Sequence, residues 1–308
     1  MKPRILVLYY SQSGQLRDIL DSLISTIKDE ASFTFAPIEP VTPFPFPWKA
    51  SVFFDAMPES VLRIPIPVKP LDTAVKEQDY DLVLLGYQPW FLHPSQPITS
   101  FMKSEDAAIL KGKPVVTVIG ARNMWLNAEE KIKEDLLHVG AKLVGNIVLV
   151  DNNPNLVSVL TIIRWTFTGQ KERSRFLPAA GVQDPEIKNA RSFGPVILDH
   201  LQKNTLDTLQ DDLLSKGGLQ LLPGLVLLEK RGVKNFRFWA NYIREKGGPG
   251  DPNRLGRVLQ FKRLLIVAIF ILSPISNFTA FIQRQIQKKS LKRDVDYFKQ
   301  IKYQSNKI

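Results

Sequence analysis

The chain has 308 residues, 44% of them hydrophobic and 23% charged, a composition typical of a folded globular protein. It contains no cysteine, which excludes disulfides, thiolate nucleophiles, iron–sulfur clusters and cysteine zinc sites. Residues 1–150 carry 15 Lys and Arg against 17 Asp and Glu, whereas residues 151–308 carry 26 against 13. The basic second part predicts a polyanionic partner, either nucleic acid or an anionic membrane surface.

The first apolar run, residues 5–10, is followed by Ser-Gln-Ser-Gly at residues 11–14 and then by apolar residues at helical spacing. This pattern predicts a strand, a tight loop and an amphipathic helix. The apolar run is too short for a secretory signal, so we expect a cytoplasmic protein. A helix N-terminus with nearby hydroxyl groups can bind phosphate, and the loop lacks the lysine and the Gly-x-Gly-x-x-Gly of nucleotide loops. It therefore predicts a monophosphate cofactor, with an ordinary capping turn as the alternative.

Further strands are predicted at residues 32–36, 82–86, 115–120 and 143–150, with a helix at about 127–139. Apolar strands separated by helices indicate a doubly wound parallel α/β sheet. Between Pro37 and Pro70, nine prolines occur among aromatic residues, which disfavours a regular second helix and predicts an extended excursion at the sheet edge. This aromatic loop either walls a hydrophobic pocket or packs its own rings against the sheet.

Two more loops follow strands and carry aromatic and amide side chains, at residues 86–94 and 120–125. Ligands of a doubly wound sheet bind at the carboxyl ends of its strands, where the strand order reverses. Flat apolar walls and amide groups are what an isoalloxazine ring needs, so the three loops together predict an FMN site. The predicted cofactor-binding residues are Ser11, Gln12, Ser13, Gly14, Gln15, Leu16, Gln88, Pro89, Trp90, Phe91, Leu92, Asn123, Met124 and Trp125.

The same loops carry the candidate catalytic residues. His93 is the candidate base, because it alone of the three histidines lies in a predicted cofactor loop and imidazole titrates near neutral pH. Tyr9, Tyr10 and Tyr87 are rivals. Arg122 is the candidate for stabilising a developing enolate or the flavin edge, unless it pairs with a surface acid. The histidines lack ligand spacing, so no metal site is predicted.

The segment YYSQSGQLRD resembles the phosphate loop of the flavodoxin superfamily, whose form is Thr/Ser-x-Ser/Thr-Gly-x-Thr. The chain departs from that form at Leu16, where the family has a hydroxyl residue. The resemblance implies a five-stranded parallel sheet in the order 2-1-3-4-5, with FMN at the carboxyl edge of the strands. The remaining part of the chain, the basic residues 151–308, would form a helical C-terminal extension.

The combination of YYSQSGQL, GYQPWFLHPSQPITSFM, IGARNMW and the long basic extension resembles a narrower family, the flavodoxin-like dialkylresorcinol-forming proteins of flexirubin and aryl-polyene gene clusters. The resemblance implies that a partner ketosynthase, working with an acyl-carrier protein, makes a long-chain dialkyl cyclohexanedione. The flavodoxin-like protein would then aromatise it to the resorcinol. The absence of cysteine agrees with this division, because a ketosynthase needs a cysteine nucleophile.

Residues 151–308 are expected to form this extension beside an FMN domain at residues 1–150. The run at 264–272, continued to 282 with Ser and Pro, is too short and too polar for a transmembrane span, and basic residues flank it. It therefore predicts either a segment in the membrane interface or a buried helix. We expect the protein to associate with the inner face of the membrane and a chain truncated before Leu264 to stay soluble.

Three other functions stay open on the sequence. An NAD(P)H-dependent quinone reductase would share the fold and reduce its substrate. A membrane-associated electron-carrier flavodoxin would need a protein redox partner, and the aromatic loop argues mildly against it. Nucleic-acid binding would use the aromatic and basic residues of 234–239 and 242–244, although the neighbouring apolar stretches favour a membrane-facing helix. A homo-oligomer is also open.

Overall fold

The computed structural model describes residues 2–272 and 288–308. The strands are β1 (Arg4–Tyr9), β2 (Ser32–Pro37), β3 (Leu82–Tyr87), β4 (Pro89–Trp90), β5 (His93–Pro94), β6 (Pro114–Ala121) and β7 (Lys142–Val150). The helices of the first part are α1 (Gln15–Ile24), α2 (Ala50–Asp55), α3 (Met57–Val61), α4 (Thr73–Lys76), α5 (Gln96–Met102) and α6 (Leu126–Val139). Those of the second part are α7 (Asn155–Thr168), α8 (Asp184–Asn189), α9 (Phe193–Gln202), α10 (Leu209–Ser215), α11 (Pro223–Arg244), α12 (Leu255–Val267) and α13 (Lys288–Phe298).

Five strands form one parallel sheet in the order β2-β1-β3-β6-β7. The hairpin of β4 and β5 stands apart from it. Counting only the sheet strands, the order is 2-1-3-4-5, which is that of flavodoxin-like folds. The predicted fold class and the four strands expected after the first are confirmed. Their apolar runs fit a sheet that is covered on both faces.

The C-terminal part completes the cores on both faces of the sheet. On one face, Phe193, Leu209 and Leu213 pack with the buried side of α1. On the other, Leu291 and Phe298 of α13 belong to the same cluster as the apolar side of α6. Residue 150 therefore marks the end of the sheet, while the apolar cores continue into residues 151–308.

A buried guanidinium ties the extension to the aromatic loop. Arg254 is fully buried, and its Nε lies 2.7 Å from Asp55 Oδ1 while Nη1 lies 2.7 Å from Glu59 Oε1. Both carboxylates belong to α2 and α3. A buried arginine is tolerated when hydrogen-bonded acids compensate its desolvation.

The expectation of no regular helix between residues 37 and 70 was wrong for its middle, where α2 and α3 form. No proline occurs from residue 48 to residue 57, and Pro58 lies in the first turn of α3, where no N–H is needed for the helix. The prolines at 37–47 do keep the chain extended.

Helix α12 covers the start of the apolar run at 264–282 and continues as a π-helical turn at Ala268–Leu272. Residues 273–282 of that run lie outside the described part. None of the helices within 2–272 and 288–308 is both long and apolar enough to cross a bilayer.

Candidate functional site

The three predicted loops start from the same edge of the sheet. In the β-ladder Tyr9 is level with Gly86, and Tyr87 is level with Ile119, so β1, β3 and β6 end side by side. The N–H of Tyr10 continues this ladder by donating to the Gly86 carbonyl at 3.2 Å. Parallel strands thus bring together loops that are distant in sequence.

The loop at residues 11–14 has the features of an anion site. Gly14 adopts a φ of +87°, and no atom lies within 4 Å of the position that a Cβ would take, so the backbone is open there. The first N–H groups of α1 have no carbonyl of their own helix to bind. Ser11 Oγ is buried and lacks a hydrogen-bond partner among the described residues. A buried hydroxyl in this state, beside free N–H groups, fits a phosphate oxygen.

Other predicted phosphate-loop side chains are engaged elsewhere. Gln12 Nε2 donates to the Pro45 carbonyl at 3.0 Å, which fixes the aromatic loop. Gln15 donates to the Val182 carbonyl and accepts from its N–H, both at 2.9 Å. Leu16 is buried in the core under the sheet. Ser13 is half-buried. Gln15 and Leu16 can therefore offer a phosphate only their backbone N–H groups.

The loop after β3 begins with an amide that braces the phosphate loop. With its amide oriented to satisfy both contacts, Gln88 donates to the Tyr10 carbonyl at 3.2 Å and accepts from the Gln12 N–H at 2.9 Å. Phe91 and Leu92 then adopt positive φ angles of 48° and 67° at the tip of the β4–β5 hairpin. Bulky residues rarely take this conformation, and such strain concentrates at functional sites.

His93 is placed differently from a loop base. It lies in β5, is 5% exposed, and its Nδ1 is 2.9 Å from the Phe91 carbonyl. The pKa of His93 is lowered to about 4, mainly by burial; the contact with the Phe91 carbonyl opposes this effect, and the charges of Arg63, Lys131 and Arg237 add to it. Near neutral pH the imidazole is therefore uncharged, with Nδ1–H donating to a carbonyl, and it is a weak proton acceptor.

The loop after β6 is held by a residue that sequence reasoning missed. Asn155, at the start of α7, accepts from Arg122 Nη1 at 2.8 Å and from Asn123 Nδ2 at 3.0 Å. Burial lowers the pKa of Arg122 to about 10, against an opposing effect of Asp151, so the guanidinium keeps its charge at neutral pH. Asn123 Oδ1 is buried and has no partner within the described ranges, so it remains as an acceptor.

The end of this loop turns into the protein. Trp125 is 1% exposed and packs in the core beside α6, so its ring offers no open face to a cofactor, while Met124 is half-buried. Glu229 of α11 caps α6, accepting the Asn127 N–H at 2.9 Å. Burial raises the pKa of Glu229 to about 7. No local pattern signals this contact, because the two residues are 102 positions apart.

The rival tyrosines are hydrogen-bonded phenols. Tyr87 is fully buried and donates to Glu129 Oε2 at 2.5 Å, and burial raises its pKa. Burial also raises the pKa of Tyr10, whose hydroxyl donates to Gln12. Tyr9 accepts from Arg17 Nη1 at 2.8 Å. Tyr10 and Tyr87 therefore remain protonated at neutral pH.

The aromatic loop packs directly against the site. The ring of Trp90 lies 4.9 Å from Phe44, 5.3 Å from Trp48 and 5.8 Å from Tyr10, centroid to centroid. Trp48 also contacts Phe53 at 5.6 Å. We call these five rings the aromatic cluster. The rings pack on one another beside the phosphate loop, as the second of the two alternatives for this loop predicts, whereas a pocket walled by them stays a prediction.

Two clefts of about 410 and 580 Å³ lie at the opposite, amino-terminal end of the strands, near the end of α6. Neither is lined by the loops described above. Among the described residues, no three His, Asp or Glu side chains group closely enough to hold a metal ion.

Comparison with known proteins gives fold-level likeness only. No model of a protein family matches the chain, and no curated protein matches it. Among solved structures, it is similar to a flavoprotein in complex with FMN from Lactobacillus acidophilus, with 18% identity over 47% of this chain and 93% of that one and a TM-score of 0.38.

A WrbA-like flavodoxin from Agrobacterium tumefaciens aligns with 10% identity over 65% of this chain and 98% of its own, with a TM-score of 0.38. General stress protein 14 of Treponema denticola, in complex with FMN, aligns with 8% identity over 65% and 100%, with a TM-score of 0.36. Similarity of this degree does not identify a function.

Proposed function

We propose that the protein binds FMN and is a flavin-dependent oxidoreductase. The observation that carries this proposal is the buried hydroxyl of Ser11, which lacks a partner among the described residues and lies beside the free N–H groups of α1. This position is the topological switch point of the sheet, where β1 and β3 diverge. A buried donor of this kind is costly unless a ligand satisfies it.

The residues present fit the phosphate end of the cofactor best. Ser11 and the N–H groups of residues 13–16 would hold the phosphate, with Gly14 leaving the backbone accessible. Asn123 Oδ1 would accept from an N–H on the ring edge, and Arg122 would place a positive charge nearby. Pro89, Trp90, Phe91 and Leu92 would contribute the wall of the ring site. When bound, FMN supplies a two-electron acceptor that takes a hydride from carbon.

The substrate we propose is a dialkyl cyclohexane-1,3-dione, aromatised to a dialkylresorcinol. The ring would lose two hydrogens, a proton from the carbon next to a carbonyl and a hydride from the adjacent carbon, and bound FMN would be the hydride acceptor. The aromatic cluster beside the loops supports an apolar substrate. The resemblance to the dialkylresorcinol-forming family supports the same choice, with a ketosynthase and an acyl-carrier protein supplying the dione.

Arg122 is the residue we assign to charge stabilisation. Its guanidinium is held by Asn155 and stays cationic at neutral pH, so it can stabilise the enolate that forms when the proton leaves. His93 is a poor choice of base, because burial depresses its pKa and its Nδ1 is bonded to the Phe91 carbonyl. We assign His93 to positioning of the hairpin instead.

FMN titration of the full chain, followed by anaerobic mixing with the dione, tests the proposal. We expect Ser11→Ala to weaken FMN binding roughly ten- to a hundredfold, since a hydrogen bond to a charged group contributes about 1.5–3 kcal/mol. Ser25→Ala, at the other end of α1, removes an exposed hydroxyl and should leave the affinity unchanged. With FMN bound, the dione should bleach the flavin absorbance and yield the resorcinol in equal amount.

The other outcomes separate the alternatives. Flavin that binds but is bleached by NADPH and not by the dione would indicate a quinone reductase. Flavin that is reduced only by a protein partner would indicate an electron carrier. A chain that binds no FMN, or a Ser11→Ala variant that binds it as tightly as the unaltered protein, would contradict the cofactor assignment itself.

A further inference from the structure

Helix α7 exposes an apolar stripe. Leu156, Leu160 and Ile163 are spaced as i, i+4 and i+7, so they lie on one side of the helix, and all three are exposed. The opposite side is buried through Ser158, Thr161 and Trp165. The outward-facing stripe is therefore apolar surface that water solvates poorly.

The loop that follows α7 adds an exposed ring among positive charges. Phe176 is 85% exposed, and Lys171, Arg173 and Arg175 precede it. The loop is held in place by Arg164, which donates to the carbonyls of residues 170, 172 and 178 at 3.2, 2.7 and 3.1 Å. Residues 156–178 contain four basic residues and a single acid, Glu172. Phe176 is thus presented by an ordered, basic loop.

Helix α12 repeats the arrangement. Leu255, Leu259 and Ile266 lie on one side of the helix and are exposed, with Arg263 among them. Its opposite side is buried through Val258 and Phe261. Residues 255–272 contain three basic residues and no acid. The exposed side of α12 is therefore both apolar and cationic.

The two helices meet the same packed rings. Phe167, near the end of α7, lies 5.5 Å from Phe53 and 6.4 Å from Phe54, and Phe54 lies 6.3 Å from Phe261 of α12. The amine of Lys262 lies 5.8 Å from the Phe54 ring. Both helices thus contact α2, whose Val52 is also exposed.

We propose that the exposed stripes of α7 and α12, with the Phe176 loop, form a docking surface for an anionic lipid bilayer. Apolar side chains would enter the headgroup region while the surrounding lysines and arginines contact the lipid phosphates, which is how amphipathic segments bind in the interface. The charge favours a bilayer over a second copy of the chain, since two such surfaces would repel each other. The start of α7 carries Asn155, so docking brings the proposed site close to the membrane.

Vesicle sedimentation with the full chain tests this proposal. The probes are vesicles of phosphatidylcholine alone and vesicles of phosphatidylcholine with phosphatidylglycerol. We expect at least roughly tenfold stronger partitioning to the anionic vesicles, weakened by salt. Phe176→Ser should reduce that partitioning roughly tenfold. Leu137→Ser is the matched control, because Leu137 is 66% exposed on α6, away from both stripes.

A double variant, Arg173→Glu with Arg175→Glu, provides an independent readout. It should lose its preference for anionic vesicles, with an unchanged far-ultraviolet spectrum. The proposal fails if the protein partitions equally to both vesicles, or if it binds the anionic ones and neither variant weakens that binding. It also fails if the unaltered protein does not bind vesicles and the variants instead abolish its self-association or its retardation of DNA in a gel.

Discussion

Glu229 joins the basic C-terminal region to the loop that carries Arg122. Its carboxylate accepts hydrogen bonds from the first N–H groups of α6, including that of Asn127 at 2.9 Å. Burial nevertheless dominates and raises the pKa of Glu229 to about 7. The folded protein therefore holds this proton more tightly than the unfolded chain does, in which the glutamate has its ordinary pKa of 4.5.

The sign of this difference predicts how stability depends on pH. Between about pH 4.5 and 7 the folded state binds the extra proton, so the free energy of unfolding falls as pH rises through this window. Between about pH 5 and pH 8, the free energy of unfolding should fall by roughly 2 kcal/mol less for Glu229→Gln than for the unaltered protein. Denaturant unfolding at both pH values measures this.

The matched control for Glu229 is Glu172→Gln, which alters an exposed carboxyl. Its pH dependence should follow that of the unaltered protein. Equal slopes for all three proteins would show that Glu229 is ionised in the folded state throughout the range.

The sequence predicts the place of a site residue correctly where that place depends on neighbouring residues in the chain. Ser11 and Gly14 follow a strand directly, so their place at a helix N-terminus could be predicted from spacing. The roles of Asn155 and Glu229 could not, because each acts on a loop that is distant in the chain. His93 was predicted as a base and Trp125 as a cofactor contact, and the sequence does not reveal that the hairpin and α6 bury them.

At the scale of elements, the aromatic loop and α7 stabilise each other. The N–H of Trp48 donates to the Thr166 carbonyl at 2.7 Å, and Phe46 lies 6.0 Å from Trp165. Trp48 itself is 5% exposed. The prolines around it restrict the unfolded chain, so the loop loses little conformational entropy when it docks.

Removing the Trp48 ring should therefore be costly. We expect Trp48→Ala to lower the free energy of unfolding by about 3 kcal/mol or more, because a buried indole leaves a cavity. Trp48→Phe should cost less, and Val41→Ala, at an exposed position of the same loop, should cost little. Thermal unfolding of the three variants ranks them. Similar values for Trp48→Ala and Val41→Ala would mean that the loop is not docked as described.

Strands were easier to predict than the connections between them. Their continuous apolar runs reflect burial on both faces, which few other elements require. The short helices α2 and α3 were missed because proline spacing dominated the interpretation of residues 37–70. Their stability comes largely from packing against α11 and α12, which no local pattern contains.

For the whole molecule, the last helix is part of the core. Leu291 and Phe298 are buried with the apolar side of α6. Tyr297 donates to Glu130 Oε2 at 2.7 Å, and buried Lys133 donates to the Gln300 carbonyl at 2.8 Å. Truncation before Leu264 would uncover this apolar surface and the buried ion pair of Lys133 and Glu130. We therefore expect such a chain to be poorly soluble, in contrast to the expectation from the sequence.

We expect a chain ending at residue 263 to aggregate or to bind a hydrophobic dye in solution. A chain ending at residue 304 keeps α13 and the Gln300 carbonyl, and should behave like the full protein. Gel filtration with dye fluorescence distinguishes the two. A monodisperse chain ending at residue 263, with unchanged unfolding temperature, would contradict the contribution of α13 to the core.

The pair of hydrogen bonds between Gln15 and Val182 constrains recombination of this chain with shorter flavodoxin-like proteins. A chimera that imports a phosphate loop with a different residue at position 15 would leave the buried N–H and carbonyl of Val182 without partners. A chimera that imports a different C-terminal extension would instead leave the side-chain amide of Gln15 without its two hydrogen-bond partners. The phosphate loop and the segment around Val182 can therefore be exchanged only together, both from the same protein.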